Sequence, residues 1–130
     1  MKRLLSTILA ILTTSLIYSQ VISTPSQCTG VTITNITTSS FKVSWTPGSG
    51  SGAIVVIKPQ SASRVAPVNA NFSSYSANTV YGAGTNLGSS NFIVFKGAAS
   101  SGNVVVTGLS SNYHYGAIVY SYQFGQTQSF

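Results

Sequence analysis

The stretch Val104–Tyr122, VVVTGLSSNYHYGAIVYSY, decides the fold. It opens on the β-branched run Val104–Thr107, which predicts a strand. Gly108-Leu109 and Ser110-Ser111-Asn112 interrupt the run. A second strand then alternates. Tyr113, Tyr115, Ala117 and Val119 share one face, and His114, Gly116, Ile118 and Tyr120 share the other. A strand, a Gly-Leu corner and a Tyr-rich strand join two β-sheets at one end of a sandwich.

Working outward, the preceding sequence supplies more strands of the same kind. Val31–Asn35 alternates and reads as the first. Phe41–Trp45 is the second, with Phe41, Val43 and Trp45 on an inward face and Lys42 and Ser44 on the other. Trp45, the single Trp, is in phase with Phe41 and Val43, so a core role is expected. Thr46–Gly52 is a flexible turn that lacks the Gly-Lys-Ser/Thr ending of a phosphate loop. Ala53–Lys58 is apolar on both faces, which predicts a central strand. Residues 60–90 read as loop, with weak strand signals at Phe72–Tyr75 and Thr79–Tyr81. Asn91–Phe95 is a strand, and Lys96-Gly97 reads as a turn. No helical period appears after residue 20.

The chain of 130 residues suits one domain, and 43% apolar residues suffice for a core. It contains no Asp and no Glu. That excludes the carboxylate pair of a glycosidase, an aspartic dyad and the acid of a Ser-His-Asp triad. Carboxylate-built calcium or magnesium sites are excluded as well. One His and one Cys cannot build a structural zinc site. The one catalytic pairing that can be drawn is Cys28 with His114, and it leaves nothing to orient the His. The expectation is no enzyme, no catalytic residue, no cofactor and no metal.

The formal charge of +6 comes from Lys2, Arg3, Lys42, Lys58, Arg64 and Lys96. The last four read as ordinary surface charges. Their mild positive field serves solubility or, on a sharper reading, weak attraction to anionic polysaccharide, lipopolysaccharide or extracellular DNA. No basic cluster or stripe supports specific nucleic-acid recognition.

Residues 1–19 read as a secretory signal peptide. Lys2-Arg3 precede Leu4–Ile17, an apolar run of fourteen residues, and Ser19 is the small residue before the cut. The run is short for a membrane span, so no transmembrane segment is expected after signal removal; an uncleaved anchor is the alternative. The expected location is secreted or at the cell surface. Pro25-Ser26-Gln27 before Cys28 is not the small-residue box of a lipid-modified cysteine. A single Cys in an oxidising compartment is buried, capped or paired with another chain. Asn35-Ile36-Thr37 and Asn71-Phe72-Ser73 are glycosylation sequons in a eukaryotic secretory route.

Residues 20–130 are expected to form one domain, and residues 24–124 of it resemble a fibronectin type III domain, an immunoglobulin-like β-sandwich. Phe41–Pro47 (FKVSWTP) resembles the second strand with its core Trp. Val106-Thr107-Gly108-Leu109, with Tyr115 six residues after the Leu, resembles the tyrosine corner that leads into strand F. Val80–Gly97 and Val119–Tyr122 resemble the subtype found in secreted multidomain proteins of Bacteroidetes. The resemblance implies structural roles for Trp45, Leu109 and Tyr115, with the Tyr115 hydroxyl bonded to backbone near Leu109 or Ser110. Ser111 stands where the family usually has Pro, and Ser121 where an acidic residue is common. Gln126–Phe130 (QTQSF) supplies only a stub of strand G.

A short or missing strand G leaves the edge of strand F open, and Ile118, Tyr120 and Tyr122 are unusually apolar for a solvent face. Both predict a protein partner: a neighbouring domain, a second copy through the open edge, or a strand donated in trans. A truncated gene product is the alternative. The leading function is therefore a secreted non-catalytic module for protein interaction, adhesion or domain spacing. The alternative is polysaccharide binding through exposed Tyr75, Tyr81, Tyr120 and Tyr122. The candidate binding residues are Ile118, Tyr120, Tyr122 and Tyr81.

Overall fold

The computed structural model describes residues 25–123. The expected signal peptide and the QTQSF stub lie outside the described residues. Six strands form: β1 (Thr29–Thr34), β2 (Phe41–Thr46), β3 (Gly52–Pro59), β4 (Phe92–Ala98), β5 (Asn103–Val106) and β6 (Tyr115–Tyr122). They make two antiparallel three-stranded sheets, ordered β1-β2-β5 and β4-β3-β6. The only helical elements among the described residues are 3-10 turns at Asn69–Ser74 and Ala99–Ser101.

The sheets face each other across alternate residues of both, giving an all-β sandwich. β2 contributes Phe41, Val43 and Trp45, and β5 contributes Val104 and Val106. Ala53, Val55 and Ile57 of β3, Val94 of β4 and Val119 of β6 meet them. Trp45 tilts against Phe95, with ring centroids 5.4 Å apart, and its Nε1 donates to the Ala99 carbonyl at 3.0 Å. The indole thus buries its apolar body without orphaning its one donor. β3 is central in its sheet, as a strand apolar on both faces requires.

The other face of β3 belongs to a second core. Ile54 and Val56 of β3, Ile93 of β4 and Tyr120 and Tyr122 of β6 are buried there with Tyr75. Phe72, Leu87 and Ile118 pack around them. Residues 60–91 provide the cover, forming a third layer over the second sheet.

This layer is why the expected solvent face of β6 is not one. Tyr120 is 5% exposed and Tyr122 is 1% exposed, while Ile118 is half-buried. Burying rings of this size is favourable by about 1.5–3 kcal/mol each, which the segment 60–91, of mixed polarity, can exploit by folding back. Asn91 anchors the layer from inside. Its Oδ1 accepts from the Val65 amide, and its Nδ2 donates to the carbonyls of Ser63, Gly88 and Ser89.

Three local expectations are corrected. Lys96-Gly97 is not a turn: both continue β4, opposite Ile54 and Ala53. The Lys96 ammonium reaches the carbonyls of Phe72 and Tyr75, and the Phe95 ring lies 3.1 Å from where a Cβ on Gly97 would stand. Phe72–Tyr75 is not a strand; the 3-10 turn of Asn69–Ser74 occupies most of it. Thr79–Tyr81 makes only an isolated parallel bridge between Val80 and Thr107.

Candidate functional site

β6 carries most of the candidate residues, and its two edges differ. One edge pairs with β3 over its full length, from Pro59↔Tyr115 to Gly52↔Tyr122. On the other, the Ser121 amide donates to Gln27 Oε1 at 3.2 Å. In an antiparallel pair, alternate residues turn their N–H and C=O groups the same way. The groups of Tyr115, Ala117 and Val119 therefore also point away from β3. Pro59 opposite Tyr115 fits this phase, since Pro has no amide to offer β3. No partner for these edge groups is present among the described residues.

Among the described residues, only the end of this edge is covered. The Cys28 amide donates to Ser121 Oγ at 2.8 Å, and that hydroxyl donates to Cys28 Sγ at 3.1 Å. Cys28 is a buried free thiol. His114 precedes the other end of β6 and is exposed. Seven residues of strand put it about 23 Å from Ser121, so Cys28 and His114 do not share a site.

The candidate binding residues are placed separately. Tyr120 and Tyr122 are buried in the second core with Ile118 at its margin. Arg64 lies over the Tyr120 ring, 5.1 Å from its centroid, and its Nε donates to Tyr120 Oη at 2.9 Å. Tyr81 packs against the first core, edge-on to Phe92 and Tyr115, and its hydroxyl donates to the Ser90 carbonyl at 2.9 Å. Tyr75 is buried, and its hydroxyl meets both the amide and the carbonyl of Val68. These tyrosines form no exposed aromatic strip. Burial raises the phenol pKa of Tyr122, and burial followed by the neighbouring Tyr115 raises that of Tyr81.

Trp45 is buried, as described, and Leu109 and Tyr115 pack at the margin of the first core. The Ser110 amide donates to Tyr115 Oη at 3.2 Å. Gly108 turns the chain into this corner with φ of +73°, a conformation that L side chains adopt only under strain. Tyr113 departs from the expected inward phase. The strand begins at Tyr115, and Tyr113 lies in the preceding turn, its amide donating to the Ser110 carbonyl. Its side chain is 61% exposed. The Ser110-Ser111-Asn112 run was the signal that the alternation starts later.

Around this corner the β1–β2 turn, the end of β3 and the β5–β6 loop enclose a cleft of about 470 Å³, with Ile33, Ile36, Phe41 and Leu109 on its apolar wall. A neighbouring cleft of about 380 Å³ shares Gln60, Tyr113 and His114 with it.

No protein-family model matches the chain, and no curated protein matches it. No helix among the described residues is long and apolar enough to cross a membrane.

Proposed function

We propose that the chain is an immunoglobulin-like sandwich of the fibronectin type III kind, exported as a non-catalytic interaction module. Its β6 edge receives a strand from a protein partner. The observation that carries this reading is the row of outward amides and carbonyls at Tyr115, Ala117 and Val119, flanked by apolar side chains on both faces. A strand that adds there gains ladder hydrogen bonds for affinity, and alternate side chains supply the selectivity. The strand order β1-β2-β5 and β4-β3-β6, the buried Trp45 and the Ser110–Tyr115 bond support the fold assignment. The absence of Asp and Glu from the sequence and the separation of Cys28 from His114 support a non-catalytic role. The leader-like residues 1–19 support export.

Ala117→Pro tests the edge, because it removes an outward N–H while leaving the β3 ladder intact. Selection of random heptapeptides displayed on phage against the wild-type protein should enrich sequences of alternating apolar residues. Ala117→Pro should weaken their binding at least about tenfold while melting near the wild-type temperature. A selection that enriches no strand-forming peptide overturns the reading. So does binding that a folded Ala117→Pro retains.

A further inference from the structure

With Tyr75, Tyr120 and Tyr122 buried, Tyr113 is the one exposed aromatic residue among those described. Its ring stands between the two clefts at the β5–β6 loop. The backbone beneath it is held firmly. Tyr113 N–H donates to Ser110 O, Ser110 N–H donates to Tyr115 Oη, and Gln60 N–H donates to His114 O at 2.8 Å. Apart from the Tyr115 hydroxyl, these bonds use main-chain groups. The side chains of Gln60, Asn112 and His114 have no hydrogen-bond partner among the described residues.

The chemistry of this cluster is specific in what it lacks. No Lys or Arg lines either cleft, and the Lys58 ammonium beside Gln60 is taken up by the carbonyls of Pro59, Gln60 and Ala62. The sequence has no carboxylate to receive a cation. A wholly apolar ligand would dehydrate the amides and imidazole with nothing in return. A flat exposed ring beside planar polar groups suits a ligand with one apolar C–H face and a rim of neutral hydroxyls. Both clefts fall in the range of about 300–1,000 Å³ typical of small-ligand sites.

We infer that the Tyr113 cluster binds a neutral pyranose carbohydrate. Tyr113 is the stacking platform, and the side chains of Gln60, Asn112 and His114 serve the hydroxyls. The site is separate from the β6 edge and does not depend on a strand being added there.

Affinity electrophoresis of the purified protein in gels containing mannan, xylan or hydroxyethylcellulose tests the inference, with a polygalacturonate gel in parallel. At least one neutral polysaccharide should retard the protein. Tyr113→Ala should weaken retardation at least about tenfold, and Tyr113→Phe should keep most of it because the ring remains. Gln60→Ala provides a second variant at an exposed side chain, and its retardation should also fall. Each variant is melted to verify its fold. Three outcomes overturn the inference: no retardation in any neutral gel, equal retardation by folded Tyr113→Ala, or retardation by polygalacturonate alone, which would follow net charge.

Discussion

Ser121 and Cys28 share a closed pair of hydrogen bonds: the Ser121 hydroxyl accepts the Cys28 amide at 2.8 Å and donates to the Cys28 sulfur at 3.1 Å. Both residues are buried, and 93 positions of sequence separate them. One small hydroxyl therefore ties the segment before β1 to the end of β6. Ser121→Ala leaves a buried amide without its acceptor, at a cost of about 1–3 kcal/mol. Calorimetry should show a drop of about 4–8 °C per kcal/mol for a domain of this size. The Cys28 thiol should also react faster with a disulfide reagent. Unchanged melting and reactivity would mean that the N-terminal segment is held by other contacts.

The bond from Ser110 to Tyr115 Oη closes the β5–β6 corner. Tyr115→Phe removes the acceptor and keeps the ring in its packing, so the expected loss is about 1 kcal/mol. Thermal unfolding of the two proteins side by side measures it. A difference within error would remove the corner from the list of stabilising features.

Lys96 pins the third layer to the second sheet. Its ammonium donates to Phe72 O at 2.8 Å and Tyr75 O at 3.1 Å, and it lies 4.2 Å from the Phe72 ring centroid. Hydrogen bonds to a charged group contribute about 1.5–3 kcal/mol. Lys96→Met keeps the stem and removes the charge, and should lower stability by about 2 kcal/mol. Hydrogen exchange should quicken first at Leu87 and Asn91, whose amides bond within the layer. Equal loss of protection in β2 would mean that the layer and the sandwich open as one unit.

Alkaline pH should destabilise the domain through Tyr81 and Tyr122. Both phenols have folded-state pKa values raised above the ordinary 10.0. The folded state then holds its protons more tightly than the unfolded chain. This stability is complete below about pH 10 and is lost as pH rises through the raised values. Thermal melts against pH, read beside phenolate absorbance, should show the decline. The Tyr81→Phe, Tyr122→Phe double variant should flatten it. A slope identical to wild type would assign the alkaline loss to other groups.

Residues that answer to a short period were legible in the sequence. Phe41, Val43 and Trp45 repeat every second residue and face the inter-sheet core. Ala53–Ile57 is apolar at every position, and β3 is buried on both faces. The Leu109–Tyr115 corner was legible only through its resemblance to the fibronectin type III pattern, not through any period. Alternation alone does not say where β6 begins: it puts Tyr113 on the face of Tyr115, Ala117 and Val119, whereas its turn holds it outside. Lys96-Gly97 misled in the opposite way: residues typical of turns sit in β4 because distant Phe72 and Tyr75 supply carbonyls for the ammonium.

The sequence by itself determined the class of the fold and the chemistry that is missing from it. Strand periodicity is a property of neighbouring residues, and the lack of Asp and Glu holds whatever the fold. Only the tertiary structure decided which faces are solvent. Period two separates the Ile118, Tyr120 and Tyr122 face from the Ala117 and Val119 face, yet says nothing of what lies over either. Residues 60–91 carry no regular period, so their folding back over β6 is fixed by long-range burial of Tyr75, Tyr120 and Tyr122 and by the hydrogen bonds of Asn91. That single packing event closes the tyrosine face, and among the described residues Tyr113 is the aromatic ring left exposed.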